Sequence, residues 1–203
     1  MIDVSLLDST VSLMTYMAAN FFATGRSPKR MGSAHPTIVP YQCFKTKDGE
    51  FITVAIGNDK LFRSFCEAIG SPNLADDPKF SSNAQRIANR HELVPLLERL
   101  FQRKTREEWL HILTEAKLPA GPVYSIAEIF SDPQVQERKM LVKITHSKAG
   151  EIGQIGIPMK FSDTPPEIRD PPPFLGQHTD EILRTFLGYD SRLIAELHEK
   201  RIV

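Results

Sequence analysis

The chain has 203 residues, 41% of them hydrophobic and 25% charged, with 25 Lys+Arg balanced by 25 Asp+Glu. Zero net charge removes the overall attraction that would draw the chain to nucleic acid or an anionic membrane, and two cysteines exclude a disulfide scaffold or a four-thiolate zinc site. The length falls between one ordinary domain and two, and a chain of this size buries roughly 70% of its unfolded surface without covalent staples.

The first residues carry no address. A secretory leader needs a basic region before its apolar stretch and a mitochondrial presequence is Arg-rich, whereas Asp3 and Asp8 follow Met1 and precede Arg26. Residues 4–23 lean apolar, but Asp8, Ser9, Thr10, Ser12, Thr15 and Asn20 interrupt them, which argues against a membrane span. By itself the chain reads as cytoplasmic.

Ile2, Asp3 and Val4 read as the end of a strand running into a helix. Leu6, Leu7, Val11, Met14, Met17, Ala18 and Phe21 recur at helical spacing, and Gly25 is a stop signal. Residues 26–40, with Pro28, Gly32, Pro36 and Pro40, form a linker. Two β-rich runs, 41–46 and 51–56, flank Lys47, Asp48, Gly49 and Glu50, which predicts a hairpin. A helix is predicted from Asp59 to Ile69, and a second over 83–102 with Pro95 kinking it. Thr105 and Glu108 form a capping box ahead of Trp109. Residues 118–123 read as a stiff loop, and Pro133 opens a short helix after Asp132. A second hairpin is predicted from 141–145 and 151–157, followed by a proline-rich tie over 165–173. Helices at 179–187 and 191–200 end the chain. The predicted class is α+β, with hairpins and helices and no parallel ladder.

Standard catalytic constellations are missing from the sequence. No phosphate-binding G-x-x-x-x-G-K-[ST] loop, H-E-x-x-H pair or G-x-S-x-G elbow occurs. Gly150, Gly153 and Gly156 fit hairpin bending. His91 and His111 fall on polar helix faces. Alternation places Cys43 inward on its strand and helical spacing places Cys66 on a core face, both inert.

A series of local signatures runs the length of the chain. It begins with residues 2–8, then Gly32, His35, Pro36, Pro40 and Tyr41, then Lys47, Asp48 and Gly49. It continues with Asp77, Pro78, Lys79 and Phe80, with Arg86, Asn89 and Arg90, and with Glu107, Glu108 and Trp109. It closes with residues 118–123, with Asp132, Pro133 and Gln134, and with Leu175, Gly176, Gln177, His178 and Thr179. In this order they resemble the C-terminal half of the class III CoA-transferases, the CaiB/BaiF group, with wording nearest the animal succinyl-CoA:glutarate branch.

The resemblance implies an enzyme that moves CoA between carboxylic acids through an acyl–aspartyl anhydride. It implies an acyl-CoA thioester as substrate rather than a resident cofactor, a small carboxylic acid as second substrate, and interlocked homodimers, with neither nucleic acid nor membrane as partner. It also implies a division into 1–25 as the last part of a large α/β domain, 26–40 as linker, 41–143 as small domain, and 144–203 as a return segment. The family's nucleophilic aspartate stands in a Gly-Asp context before the segment matched by residues 2–8, so it is expected upstream of Met1. No Gly-Asp dipeptide occurs in these 203 residues. No catalytic residue is therefore assigned, no metal ligand is predicted, and the chain alone is expected to be inactive. Gly32, His35, Gly57 and Asn58 are the candidates to face substrate, with Asn58 equally suited to cap the following helix. A racemase-like fragment and a non-catalytic interaction domain are the alternatives. A mitochondrial location follows if a presequence precedes these residues.

Overall fold

The β-rich runs on either side of Gly49 pair as predicted. In the computed structural model, which describes residues 3–203, β1 (Tyr41–Lys45) runs antiparallel to β2 (Phe51–Ala55), with Tyr41 opposite Ala55 and Lys45 opposite Phe51. Gly49 takes φ +86° in the turn, a conformation that a Cβ would strain. A third strand, β3 (Ala120–Val123), pairs antiparallel with β2, giving the order β1-β2-β3. This corrects the stiff loop expected over 118–123. β3 is an edge strand, where every second N–H has no ladder partner to lose, so proline is tolerated.

One face of this sheet packs on helices. α3 (Asp59–Ala68), α4 (Asn73–Asp76), α5 (Asn83–Ala88), α6 (Arg90–Phe101) and α7 (Arg106–Glu115) supply its cover. Phe44, Ile52 and Val54 from the strands bury with Phe62, Phe65, Leu93, Leu97, Phe101, Trp109 and Leu113. Phe44 stacks on Phe101 at 4.7 Å between ring centroids, and Trp109 Nε1 donates to the Phe101 carbonyl at 2.8 Å. The capping box at α7 forms as predicted: the Thr105 N–H donates to Glu108 Oε2 and the Glu108 N–H to Thr105 Oγ1. Those two bonds satisfy N-terminal groups that the helix itself cannot.

Two predicted helices are divided. The break in 83–102 falls at Asn89 (φ −103°, ψ 23°) rather than at Pro95. Asn89 Nδ2 donates to the Lys79 and Gln85 carbonyls, the latter also accepting the Asn89 N–H, so the side chain ties this residue back to the segment before α5. Helix α6 restarts at Arg90, and Pro95 sits inside it, missing only its own N–H. Near the start of the chain, α1 (Leu6–Ser12) and α2 (Thr15–Thr24) replace one helix, with Thr15 at φ +36°. The hydroxyls of Ser9, Thr10 and Ser12 bond back to the carbonyls of Ser5, Leu6 and Ser9, which weakens the ladder just before the break. Gly25 ends α2 at φ +67°, as predicted.

Met1 and Ile2 lie outside the described residues. The predicted strand end rests partly on Ile2 and so falls partly outside them; Asp3 and Val4 are in no strand, which corrects that part of the expectation. The nucleophilic aspartate expected upstream of Met1 falls outside them altogether, and the domain expected to begin at Met1 is described only from Asp3 onward.

The chain divides into two compact units, the first ending at Val123 and the second spanning Tyr124–Val203. The boundary at 143 that the resemblance implies lies inside the second unit. The second unit contains α8 (Ile126–Ser131), α9 (Pro133–Glu137), β4 (Leu141–His146), β5 (Gly150–Ile155), α10 (Thr179–Leu187) and α11 (Ser191–Glu199). Strands β4 and β5 form the second hairpin, and Pro133 opens α9 behind the Asp132 cap. Helix α8 goes beyond the sequence expectation, although Ser125 and Glu128 spell its capping box. Among the described residues all strand pairing is antiparallel. The chain is α+β.

Candidate functional site

The sheet of the first unit has a second face, turned away from the core. Alternation puts Tyr41, Cys43 and Lys45 of β1, Phe51, Thr53 and Ala55 of β2, and Gly121 and Val123 of β3 on it. Cys43 therefore does not face inward as expected. Phe44 holds the core position instead, directly opposite Ile52, because the larger ring buries more apolar area. Cys43 is half-buried on the other face, its Sγ 3.2 Å from Thr53 Oγ1. A shallow cleft of about 300 Å³ opens there between Tyr41, Thr53, Ala55 and Pro119 to Pro122.

The linker closes the free edge of β1. Cys43 N–H donates to Ser33 Oγ at 3.1 Å, and His35 N–H donates to the Tyr41 carbonyl at 2.8 Å. These bonds take up groups that an edge strand would otherwise leave open to another chain. Gly32 sits before them at φ +60°, exposed, in a conformation that other residues resist.

His35 is held on three sides. Its ring stacks between Tyr16 of α2 (centroids 5.0 Å, planes 22° apart) and Tyr41 (5.2 Å, 10°). Nδ1 accepts the Thr37 N–H at 3.2 Å, which puts the proton of the neutral ring on Nε2. That N–H is a donor at the end of the sheet where β1 begins and β2 ends.

Gly57 and Asn58 leave β2 at the same end. The Ala55 N–H donates to the Pro119 carbonyl and the Ile56 N–H to the Pro40 carbonyl, so the strand is pinned on both sides until Gly57. Among the described residues no atom lies within 4 Å of where a Gly57 Cβ would sit. Asn58 caps α3, its Oδ1 accepting the Leu61 N–H at 2.9 Å. The fold thus brings His35, Gly57 and Asn58 to one end of the sheet and puts Gly32 beside its β1 edge.

Three side chains outside the set of site candidates fix the linker. Arg86 is fully buried: Nε donates to the Val39 carbonyl at 2.7 Å, NH1 to the Phe80 carbonyl at 3.0 Å, and NH2 to Asp59 Oδ1 at 2.9 Å. Its guanidinium carbon lies 4.2 Å from the centre of the Phe62 ring. Asn83 Nδ2 donates to the Thr37 carbonyl, and Asn83 Oδ1 accepts the Val39 N–H. Arg90 donates to the carbonyls of His35 and Pro36, and its partial burial lowers its pKa from the ordinary value. No local signal marks Arg86, whose neighbours Ser81, Ser82, Asn83 and Gln85 are polar; its burial comes from packing against residues distant in sequence, Val39 and Phe62 among them.

The described residues hold no group of three or more His, Cys, Asp or Glu able to take a metal ion, and no helix long and apolar enough to cross a membrane. Burial pushes the Cys66 thiol up to about 12, so it stays protonated and unreactive. The outer sheet face carries hydrogen-bond donors and an aromatic clamp but no carboxylate among the residues named on it.

The description "CoA-transferase family III" fits residues 1–179 of this chain. Succinyl-CoA:glutarate CoA-transferase of Homo sapiens is 37% identical over 202 residues, covering 100% of this chain and 46% of that protein. Succinate–glutarate CoA-transferase of Agrobacterium fabrum is 35% identical over 182 residues, covering 90% and 45%. The crystal structure of a CaiB/BaiF family protein from Brucella suis matches with a TM-score of 0.73 at 36% identity, over 89% of this chain and 46% of that one. The chain spans about half the length of the curated relatives it matches. With the match reaching from residue 1 to 179, the chain belongs to CoA-transferase family III.

Proposed function

We propose that these residues form the small-domain side of an active site that moves CoA from succinyl-CoA to glutarate or a similar short dicarboxylate. The aspartate of a large domain, upstream of Met1, attacks the thioester carbonyl, the CoA thiolate leaves, and an acyl–aspartyl anhydride forms, which the second carboxylate then takes over. Interlocking of two such chains lets the small domain of one close over the large domain of the other. The His35 Nε2–H meets the distal carboxylate of the dicarboxylate, and the open end of β2 at Gly57 gives the acyl chain room.

The observation that supports this reading is the fixed His35 ring, clamped by Tyr16 and Tyr41 with one donor left over. A charge-assisted bond from such a ring is strong, and its rigid setting limits the entropy lost on binding. The names of the human and Agrobacterium fabrum relatives support the dicarboxylate class.

Transfer of CoA from succinyl-CoA to isotope-labelled glutarate tests it. The 203 residues alone are expected to give no glutaryl-CoA above background, and the same residues joined to a family large domain are expected to turn over. In the joined enzyme, His35→Phe keeps the stack but removes the donor, and raises KM for glutarate by about tenfold while leaving that for succinyl-CoA less changed. Turnover by the 203 residues alone, or an unchanged KM in His35→Phe, overturns the reading.

A further inference from the structure

A second cleft lies elsewhere in the first unit, between the turn that follows α3 and the C-terminal end of α6. It measures about 400 Å³, within the range of small-molecule sites. Leu74, Leu96 and Leu100 line it with apolar surface, and Arg99 and Arg103 line it with charge. Arg99 comes from the last turn of α6 and Arg103 from just beyond its Gln102 cap.

Neither guanidinium has an ion-pair or side-chain hydrogen-bond partner among the described residues. This contrasts with neighbouring cations: Arg63 pairs with Asp76 at 2.8 Å, Lys79 with Glu92 at 2.6 Å, and Arg86 with Asp59. Ser71 and Asn73 add a hydroxyl and an amide to the same cleft, and no acidic residue is among the described residues that line it. Cations at a helix C-terminus complement the macrodipole, which accounts for positive charge there but not for a leucine-lined hollow beneath it.

We infer that this cleft binds a small amphiphilic anion: a hydrocarbon body resting on Leu74, Leu96 and Leu100, with one carboxylate head held by Arg99 and Arg103. Arginine pairs carboxylates in a fork of two N–H bonds, and two arginines over an apolar floor separate head from body along the cleft. The inference does not depend on the transferase reading, because none of the lining residues belongs to the outer sheet face.

The test is a titration of the full 203-residue chain with octanoate, followed by NMR of leucine methyl groups. Saturable shifts at Leu74, Leu96 and Leu100 are expected. Octanol, which lacks the head, and acetate, which lacks the body, are each expected to bind at least about tenfold more weakly, as removal of a charge-assisted bond or of the buried chain requires. Arg99→Gln and Arg103→Gln are each expected to cost about tenfold in Kd with the thermal midpoint unchanged, since both side chains are exposed. Equal binding of octanol, tight binding of acetate, shifts elsewhere only, or indifference to both substitutions overturns it.

Discussion

Replacing Arg86 with Met leaves a side chain of similar reach but removes the guanidinium from the centre of the first unit. Two buried carbonyls, those of Val39 and Phe80, lose their donors. An unsatisfied buried acceptor costs about 1–3 kcal/mol each. The contact over the Phe62 ring, at 4.2 Å, is worth about 1–2 kcal/mol when desolvated. Asp59 is 56% exposed and still accepts the Asn83 N–H, so its loss is small. Against these costs stands relief from burying a charge, which is itself several kcal/mol before pairing. The balance is a loss of about 3 kcal/mol, a large part of the roughly 5–15 kcal/mol that a domain usually has. Trp109 is the only tryptophan and lies buried in the same core, so urea unfolding followed by its fluorescence reads this unit. The midpoint should fall with the m-value unchanged. Arg86→Lys should recover less than half the loss, because one ammonium cannot reach three acceptors in a fixed fork. A loss below about 1 kcal/mol in Arg86→Met would refute the view that this side chain holds the linker to α3 and α5.

Two further outcomes follow from the geometry. Burial holds the Cys66 thiol at about 12 against an ordinary value of 9.0, so the folded state keeps a proton that the unfolded chain gives up. Stability should therefore be intact below about pH 9 and fall as pH rises from about 9 toward 12, by up to about 1.4 kcal/mol per unit; Trp109-monitored urea melts at about pH 9.5 and 10.5 measure it, and Cys66→Ala should flatten the slope. Gly156 packs so closely on the preceding segment that a Cβ would lie 2.2 Å from the Lys139 carbonyl oxygen. Gly156→Ala should lower hydrogen-exchange protection in β4 and β5 while leaving the Trp109 transition in place, and unchanged protection would count against that close approach being obligatory.

Local patterns were legible wherever a few adjacent residues decide the outcome. The turn at Gly49, the capping box at Thr105 and Glu108, the Asp132 cap before Pro133 and the helix stop at Gly25 each depend on backbone groups within one turn of chain. The ordered signatures from residue 2 to residue 179 were enough to reach the family, which the match over residues 1–179 supports. The strand β3 was not legible, because Pro119 and Pro122 suggest a loop until an edge position and a partner strand are known. The break at Asn89 was hidden for a similar reason, since it depends on Asn89 reaching the Lys79 carbonyl ten positions away.

By itself the sequence determined the class of elements, most of their order and the family, because periodicity, caps and motif order are properties of short segments. Only the tertiary structure decided which side chains meet. His35 became a clamped ring through Tyr16 and Tyr41, Arg86 became the buried anchor of the linker, and Cys43 took the outer face because Phe44 claimed the core. Each of these depends on contacts between residues brought together by packing, where burial and hydrogen-bond satisfaction outweigh local preference.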